Sequence, residues 1–226
     1  MSNLPRKIRG FILDILFPIE CLNCHLEGEY LCKKCFRQIK FNDNTDLERA
    51  RQNLKASDLE KIFIAGNYED KLLQNLIKKY KYGFIKPLGE ILARFLITFW
   101  NFQNDSQNKI PASLLIIPIP LADKRFRWRG FNQAEILAQE FSRHFNYGLN
   151  LNLKRQGKQA PQAKLNEAER LNNIQGVFSW TGKNLLGQDI LLIDDVVTTG
   201  ATLNEAARVL KEAGASSIYA LVLAKG

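Results

Sequence analysis

No stretch of the 226-residue chain is apolar for long enough to cross a bilayer. The most suspicious run, ILARFLITFW at residues 91–100, contains Arg94 and falls well short of the roughly 20 residues a spanning helix needs. A signal peptide is not expected either. RKIRGFILDILFPI begins basic and turns apolar, but Asp14 interrupts it and no A-x-A cleavage pattern follows. Ile8, Phe11, Ile12, Ile15 and Leu16 fall on one helical face, which predicts an amphipathic helix packed on protein, with a membrane-surface helix as the alternative. The expected location is the cytoplasm. Neither G-x-x-x-x-G-K-[ST] nor G-x-G-x-x-G occurs, which argues against a P-loop NTPase and a dinucleotide fold.

What remains is an ordinary globular composition, 46% hydrophobic and 24% charged, long enough for one α/β domain and something smaller. The formal net charge is +9, and its distribution says more than its size. Residues 61–180 hold 18 basic and 9 acidic side chains, while the segments on either side are nearly balanced. A basic middle attracts polyphosphate or a nucleic-acid backbone; lysine on solvated helix faces is the plainer explanation of the same excess.

One string stands out, LLIDDVVTTGAT at residues 191–202. Ile190–Ile193 is a short continuous apolar run, the pattern of a strand covered on both faces. Beyond it, Leu203, Ala206, Ala207, Val209, Leu210 and Ala213 have helical spacing, Gly214 stands where a helix stops, and SIYALVLAK reads as another buried strand. A strand–helix–strand unit of this kind predicts a parallel sheet, whose ligands bind beyond the carboxyl ends of the strands. The helix N-terminus suits a phosphate, Gly200 permits close backbone approach, and Thr198, Thr199 and Thr202 add hydroxyl donors. Asp194 and Asp195 cannot hold that phosphate, so they serve something beside it: sugar hydroxyls, which need acceptors, or a divalent cation. A ribose phosphate satisfies both halves. The plain alternative is a solvated strand end followed by an ordinary turn.

At these residues the chain resembles the type I phosphoribosyltransferases. The resemblance implies that Asp194 and Asp195 contact the ribose hydroxyls of phosphoribosyl pyrophosphate. It also implies that Thr198, Thr199, Gly200, Ala201 and Thr202 wrap the 5′-phosphate, and that Mg²⁺ is held largely through the ligand itself.

Cys21, Cys24, Cys32 and Cys35 form two C-x-x-C pairs separated by seven residues. Each pair turns two thiolates toward one point and two pairs complete a tetrahedron, so a knuckle-like structural Zn²⁺ site is expected. Disulfides would need an oxidising compartment. His25 is expected to be a bystander.

Between the two motifs, IFIAGNY predicts a strand, EDKLLQNLIKKYKYG and KPLGEILARFLITFW predict helices, and SLLIIPIP predicts a buried strand ending at its prolines. The following segment interleaves Lys124, Arg125, Arg127 and Arg129 with Phe126 and Trp128, read as a loop before a helix starting near Phe131–Asn132. Such a loop can hold pyrophosphate or a nucleic-acid strand; the alternative is a capping loop with core aromatics and solvated arginines. The polar run from Leu153 to Phe178 predicts a mobile loop or flap over the site, or a merely flexible insertion.

Taken together, the four-cysteine module, YKYG, PIPL…RWRGFNQA, the R…Q…ER…N…GVF pattern and LLIDDVVTTGAT occur in the order seen in the ComF family. This family includes the bacterial competence proteins ComFC and GntX-like proteins, and the resemblance spans nearly the whole chain. It implies an α/β fold: a type I phosphoribosyltransferase-like parallel sheet flanked by helices, plus a small N-terminal C4 zinc module. The expected organisation is an amphipathic helix and zinc module at 1–41, a linker at 42–60, and a phosphoribosyltransferase-like domain at 61–226. By carry-over, Lys81, Tyr82, Arg129, Gly130, Phe131, Asn132, Gln133, Arg155, Gln162, Arg170 and Asn173 line or support the ligand site. Asp194, Asp195 and Arg129 are the implied catalytic residues. The implied reaction is displacement of pyrophosphate from ribose C1, although no nucleophile or general-base motif marks an acceptor. The alternative is a single-stranded-DNA-binding protein or partner of a competence helicase that keeps the fold without turnover.

Overall fold

The computed structural model describes residues 18–42, 54, 57–105, 111, 113–156 and 176–226. The chain forms two compact units, one ending at Lys40 and the other running from Phe41 to Gly226. The described part of the first contains one short helix, α1 (Lys33–Phe36).

The second unit is built on a five-stranded sheet. Its elements in chain order are β1 (Lys61–Asn67), α2 (Lys71–Tyr82), α3 (Leu88–Asp105), β2 (Leu115–Pro118), α4 (Asp123–Arg129), α5 (Gln133–Phe145), β3 (Gly148–Leu149), β4 (Leu153–Arg155), β5 (Phe178–Trp180), β6 (Ile190–Val197), α6 (Ala201–Glu212) and β7 (Ile218–Lys225). The strand order is β1-β7-β6-β2-β3 and every pairing is parallel. Ile190 to Ile193 are fully buried, as a central strand covered on both faces requires. Leu192 sits between Ile117 of β2 and Ala220 of β7. α3 and α5 pack on one another and on the sheet, while α6 packs against β7 and β5. The buried aromatics Phe63, Trp100 and Phe141 meet edge-on, with ring centroids 5.0 and 5.5 Å apart, and fix α3 and α5 over the sheet. ILARFLITFW thus belongs to a core helix. Among the described residues no helix is long and apolar enough to cross a membrane.

The topology places the site. From β2 the chain moves outward to β3, and from β6 it moves the other way to β7, so the strand order reverses between β2 and β6, the place beyond whose carboxyl ends open parallel sheets bind ligands.

Three expectations are corrected. β6 continues through both acids to Val197, because Val196 and Val197 keep pairing with Ala224 and Lys225; the acids therefore lie inside the strand rather than after it. The Lys124–Arg129 segment is helix α4, favoured by Asp123 in its first turn and Arg127 and Arg129 in its last, and ended by Gly130 at φ 77°. The polar run read as a flap has structured ends. Leu153–Arg155 pairs antiparallel with Phe178–Trp180, and Leu153, Val177 and Phe178 are buried beneath the hairpin. Its middle, with Gln162, Arg170 and Asn173, lies outside the described residues, as does the amphipathic face from Ile8 to Leu16.

Candidate functional site

Asp70 caps α2 by accepting from the N–H groups of Leu72 and Leu73 at 2.9 and 3.0 Å. Leu73, Leu76, Ile77 and Tyr80 bury one face of the helix, and Tyr80 Oη donates to the Gln133 carbonyl at 3.0 Å. This anchoring brings Lys81, in the last turn, to the end of β6, where its Nζ meets Asp195 Oδ1 at 2.8 Å. Asp195 is buried and Asp194 half-buried. Asp194 Oδ1 accepts the Asp195 backbone N–H at 2.8 Å. Burial and the Asp195 charge push the Asp194 carboxyl up to about 7, against the pull of that N–H, Lys81 and Arg155. Arg155, on β4, is held below the ordinary arginine value by burial and by Arg125, and Asp194 opposes both. Burial, then the Asp195 charge, raises the Tyr80 phenol, which stays a neutral donor.

Next to the acids lies the cradle formed by Asp194 and by Val196 through Leu203. Gly200 adopts φ 80° and caps α6, a backbone conformation that a β-carbon would strain. The first-turn N–H groups of α6 have no intrahelical acceptor and point out of the helix end, with the hydroxyls of Thr198, Thr199 and Thr202 around them.

The basic segment divides in a way its sequence spacing does not show. Lys124, Arg125, Phe126, Arg127 and Trp128 are exposed. Arg129 is buried: its Nη1 donates to Gln133 Oε1 at 3.0 Å and its guanidinium lies 5.3 Å from the Tyr82 ring centre. The Arg129 Nε and Gln133 Nε2 donors have no partner among the described residues. Trp128 packs against Tyr82 and Phe84, with centroids 5.8 and 5.5 Å apart, yet the three rings remain 51–55% exposed. The aromatics of this segment are therefore surface rings, not core.

The structure thus gathers Lys81, Arg155, Asp194, Asp195 and the Thr198–Thr202 cradle, and puts Arg129 behind Tyr82. Sequence reasoning misses two residues. Tyr80 supports α2, and buried Glu205 accepts the Gly176 N–H at 2.6 Å, anchoring the strand that returns from the hairpin to α6. Arg208 is the main reason Glu205 is held below the usual carboxylate range. The one signal for Glu205 is an acid between Leu203 and Ala206 on an apolar helix face.

In the N-terminal unit, the Sγ atoms of Cys21, Cys24, Cys32 and Cys35 all lie within 4.8 Å of one another. The Cys24–Cys32 separation is 3.6 Å, close to the edge of about 3.8 Å in a tetrahedron with 2.3 Å metal–sulfur bonds. Burial raises the Cys21 thiol, but backbone N–H groups of Cys24, Cys32 and Asn23 outweigh it and lower the thiol to about 6, favouring thiolate. Asn23 Nδ2 donates to Cys35 Sγ at 3.2 Å. His25 is turned outward to Glu20 at 3.3 Å and is not part of the cluster.

A parallel sheet whose central strand ends in an acid pair and a threonine–glycine cradle at a helix N-terminus defines the phosphoribosyltransferase-like class. Residues 129–226 match the family model described as the phosphoribosyl transferase domain. The chain is similar to competence protein F of Haemophilus influenzae, 31% identical over 92% of this chain and 98% of that protein. It is also similar to competence protein ComFC of Bacillus subtilis, at 33% identity over 69% of this chain and 60% of that one. DNA utilization protein YhgH of Escherichia coli is 32% identical over 68% of this chain and 67% of its own length. The chain belongs to the ComF family.

Proposed function

We propose that this protein binds phosphoribosyl pyrophosphate, or a related ribose phosphate, in the crevice beyond β2 and β6, and acts in competence and DNA uptake like its named relatives. The observation that carries the reading is the conjunction of the Asp194–Asp195 pair, Lys81 on Asp195 at 2.8 Å, and the α6 N-terminus with its hydroxyl-lined cradle. Asp194 and Asp195 accept from the ribose hydroxyls and the Thr198–Thr202 cradle takes the 5′-phosphate. Arg155, Arg170 and the exposed basic side chains of α4 are assigned to the pyrophosphate. Mg²⁺ brought in with the ligand would supply positive charge against the pyrophosphate. The reaction class is pentosyl transfer, with pyrophosphate displaced from C1 through an oxocarbenium-like state stabilised by positioning and positive charge. In the N-terminal unit the four cysteines fit a closed tetrahedral Zn²⁺ site whose role is structural. The working modules are residues 1–41, 42–60 and 61–226, and the compartment is the cytoplasm.

Calorimetric titration of phosphoribosyl pyrophosphate with Mg²⁺ into wild-type and Asp195→Asn protein tests the reading. Affinity falls by about 1–3 kcal/mol in the variant, the range for hydrogen bonds to a charged group. Equal affinity in the two proteins returns the acids to an ordinary strand end.

A second reading rests on the exposed Tyr82–Phe84–Trp128 rings beside Lys124, Arg125 and Arg127. Rings that stack bases beside cations that follow phosphates are what a single-stranded nucleic acid needs. On this reading the protein hands imported single-stranded DNA to a helicase partner. Competition between an oligonucleotide and phosphoribosyl pyrophosphate separates one shared site from two.

A further inference from the structure

The acid pair is asymmetric. Asp195 Oδ1 and Lys81 Nζ are 2.8 Å apart with side chains only 12% and 15% exposed, an ion pair largely withdrawn from water and stronger than a surface pair. Asp194 accepts only the Asp195 backbone N–H among the described residues. The charged groups that face it are Asp195 on its own strand, Lys81 from α2 and Arg155 from β4, with Arg125 of α4 beside Arg155. Arg155 is partly engaged with the Phe178 ring, 5.3 Å from its centre. Tyr80, also from α2, lies near Asp195 and stays neutral. Two adjacent carboxyls thus share one close cation, and that cation is committed to Asp195. Ionising the second carboxyl in a half-buried site then meets both desolvation and like-charge repulsion.

We infer that the two acids have separate tasks: Asp195, clamped by Lys81, is the standing anion of the site, and Asp194 is its proton-exchanging carboxyl. Lys81 is a positioning residue that acts through Asp195 rather than a contact for the ligand. What triggers the exchange rests on the ribose-phosphate reading. A sugar hydroxyl donates to a carboxylate, so uptake of the diol breaks the O–H bond of Asp194, sends its proton to bulk buffer, and leaves the hydroxyl O–H intact as a hydrogen bond. Binding below neutral pH therefore releases a proton.

The first arm of the test uses the unliganded full chain labelled with ¹³C at aspartate carboxyls and follows their shifts from pH 4 to 9. One carboxyl titrates near neutrality and its signal vanishes in Asp194→Asn. Lys81→Met raises its midpoint, because a neighbouring cation is lost, and Lys81→Arg restores it; a purely structural lysine would move neither. Titration of Asp194 in the ordinary carboxylate range, or indifference to Lys81→Met, overturns the division. The second arm titrates phosphoribosyl pyrophosphate with Mg²⁺ at pH 6.5 in two buffers of different ionisation enthalpy. Wild type releases more protons than Asp194→Asn, the difference approaching one, because the ligand's own phosphates contribute equally to both. Equal proton release by wild type and Asp194→Asn overturns the exchange while the ribose-phosphate reading stands. Absence of binding at every pH, with the carboxyl titrating as described, overturns that reading and leaves the division of the acids standing.

Discussion

An amide at position 194 removes a charge that both burial and Asp195 oppose. The folded-state value of the carboxyl is raised, so the native state binds a proton more tightly than the unfolded chain does, and wild-type stability falls as pH rises from about 4 toward 7. Asp194→Asn escapes this loss. Its stability gain over wild type grows across that window, levels off above pH 7, and reaches about 1–3 kcal/mol, less than a fully buried carboxyl would give because Asp194 is partly solvated. Urea denaturation at pH 5 and pH 8 reads the difference, and a gain that is equal at both pH values, or a loss at pH 8, rejects it. The same variant binds a ribose phosphate less well, so function and stability oppose each other at this residue. Trp128 is the other informative position. If bases stack on it, Trp128→Ala weakens single-stranded DNA binding by about 1–3 kcal/mol. Removing Arg125 and Arg127 flattens the log–log salt dependence by about 0.7 for each lost phosphate contact. DNA binding that is absent at low salt, or indifferent to these substitutions, means the exposed rings are not a DNA surface.

At the scale of elements, α2 is the part that delivers Lys81, and its N-terminus can be tested apart from its site end. Asp70→Ala removes the acceptor for Leu72 and Leu73 and costs about 0.5–2 kcal/mol of stability by chemical denaturation. Affinity at the acid pair changes little, because Tyr80 and the buried leucines still fix the last turn; a tenfold affinity loss would show that the cap sets the position of Lys81. Elements with a strong period are legible from their residues alone. The apolar runs of β2, β6 and β7 announce a buried parallel sheet, and the spacing in α2, α3 and α6 announces helices. Shorter elements carry too little signal. The seven residues of α4 have no apolar stripe, and alternating arginines and aromatics imitate an extended segment. β4 and β5 are three residues each and become strands only by pairing with one another. The end of β6 is deceptive because Asp and Thr usually mark a turn, whereas pairing with β7 holds the chain extended to Val197. The candidate site is legible where residues are adjacent in the chain, as in Asp194–Asp195 and the Thr198–Thr202 cradle. It is illegible where side chains meet across the fold. Pairing of Lys81 with Asp195, the inward turn of Arg129 and the bond from Gly176 to Glu205 depend on contacts between elements that the local pattern does not encode.

At the scale of the molecule, the two compact units differ in what can hold them together. The unit from Phe41 onward has a sheet core with Trp100, Tyr80, Phe63 and Phe141 fully buried. The described part of the N-terminal unit buries Cys21, Leu31, Cys32, Cys35 and Ile39 and has one four-residue helix. Three of those five are the proposed metal ligands, so few apolar side chains are left to offset the entropy of ordering the chain. A bound ion would supply what the core lacks, since metal affinity in such a small module becomes folding free energy. Freshly purified, reduced protein should therefore contain about one Zn²⁺ per chain by elemental analysis. Cys32→Ser removes one ligand and should abolish stoichiometric zinc while exposing the amides of residues 20–40 to rapid hydrogen exchange. Amides of β6 and β7 should keep their protection, because the sheet has its own buried core. A chelator should reproduce this pattern in the wild type, and restored zinc should reverse it. Protein free of metal, with protected amides throughout residues 20–40, would show that side-chain packing alone holds the module. Loss of protection in β6 and β7 together with the module would instead show that the two units fold as one.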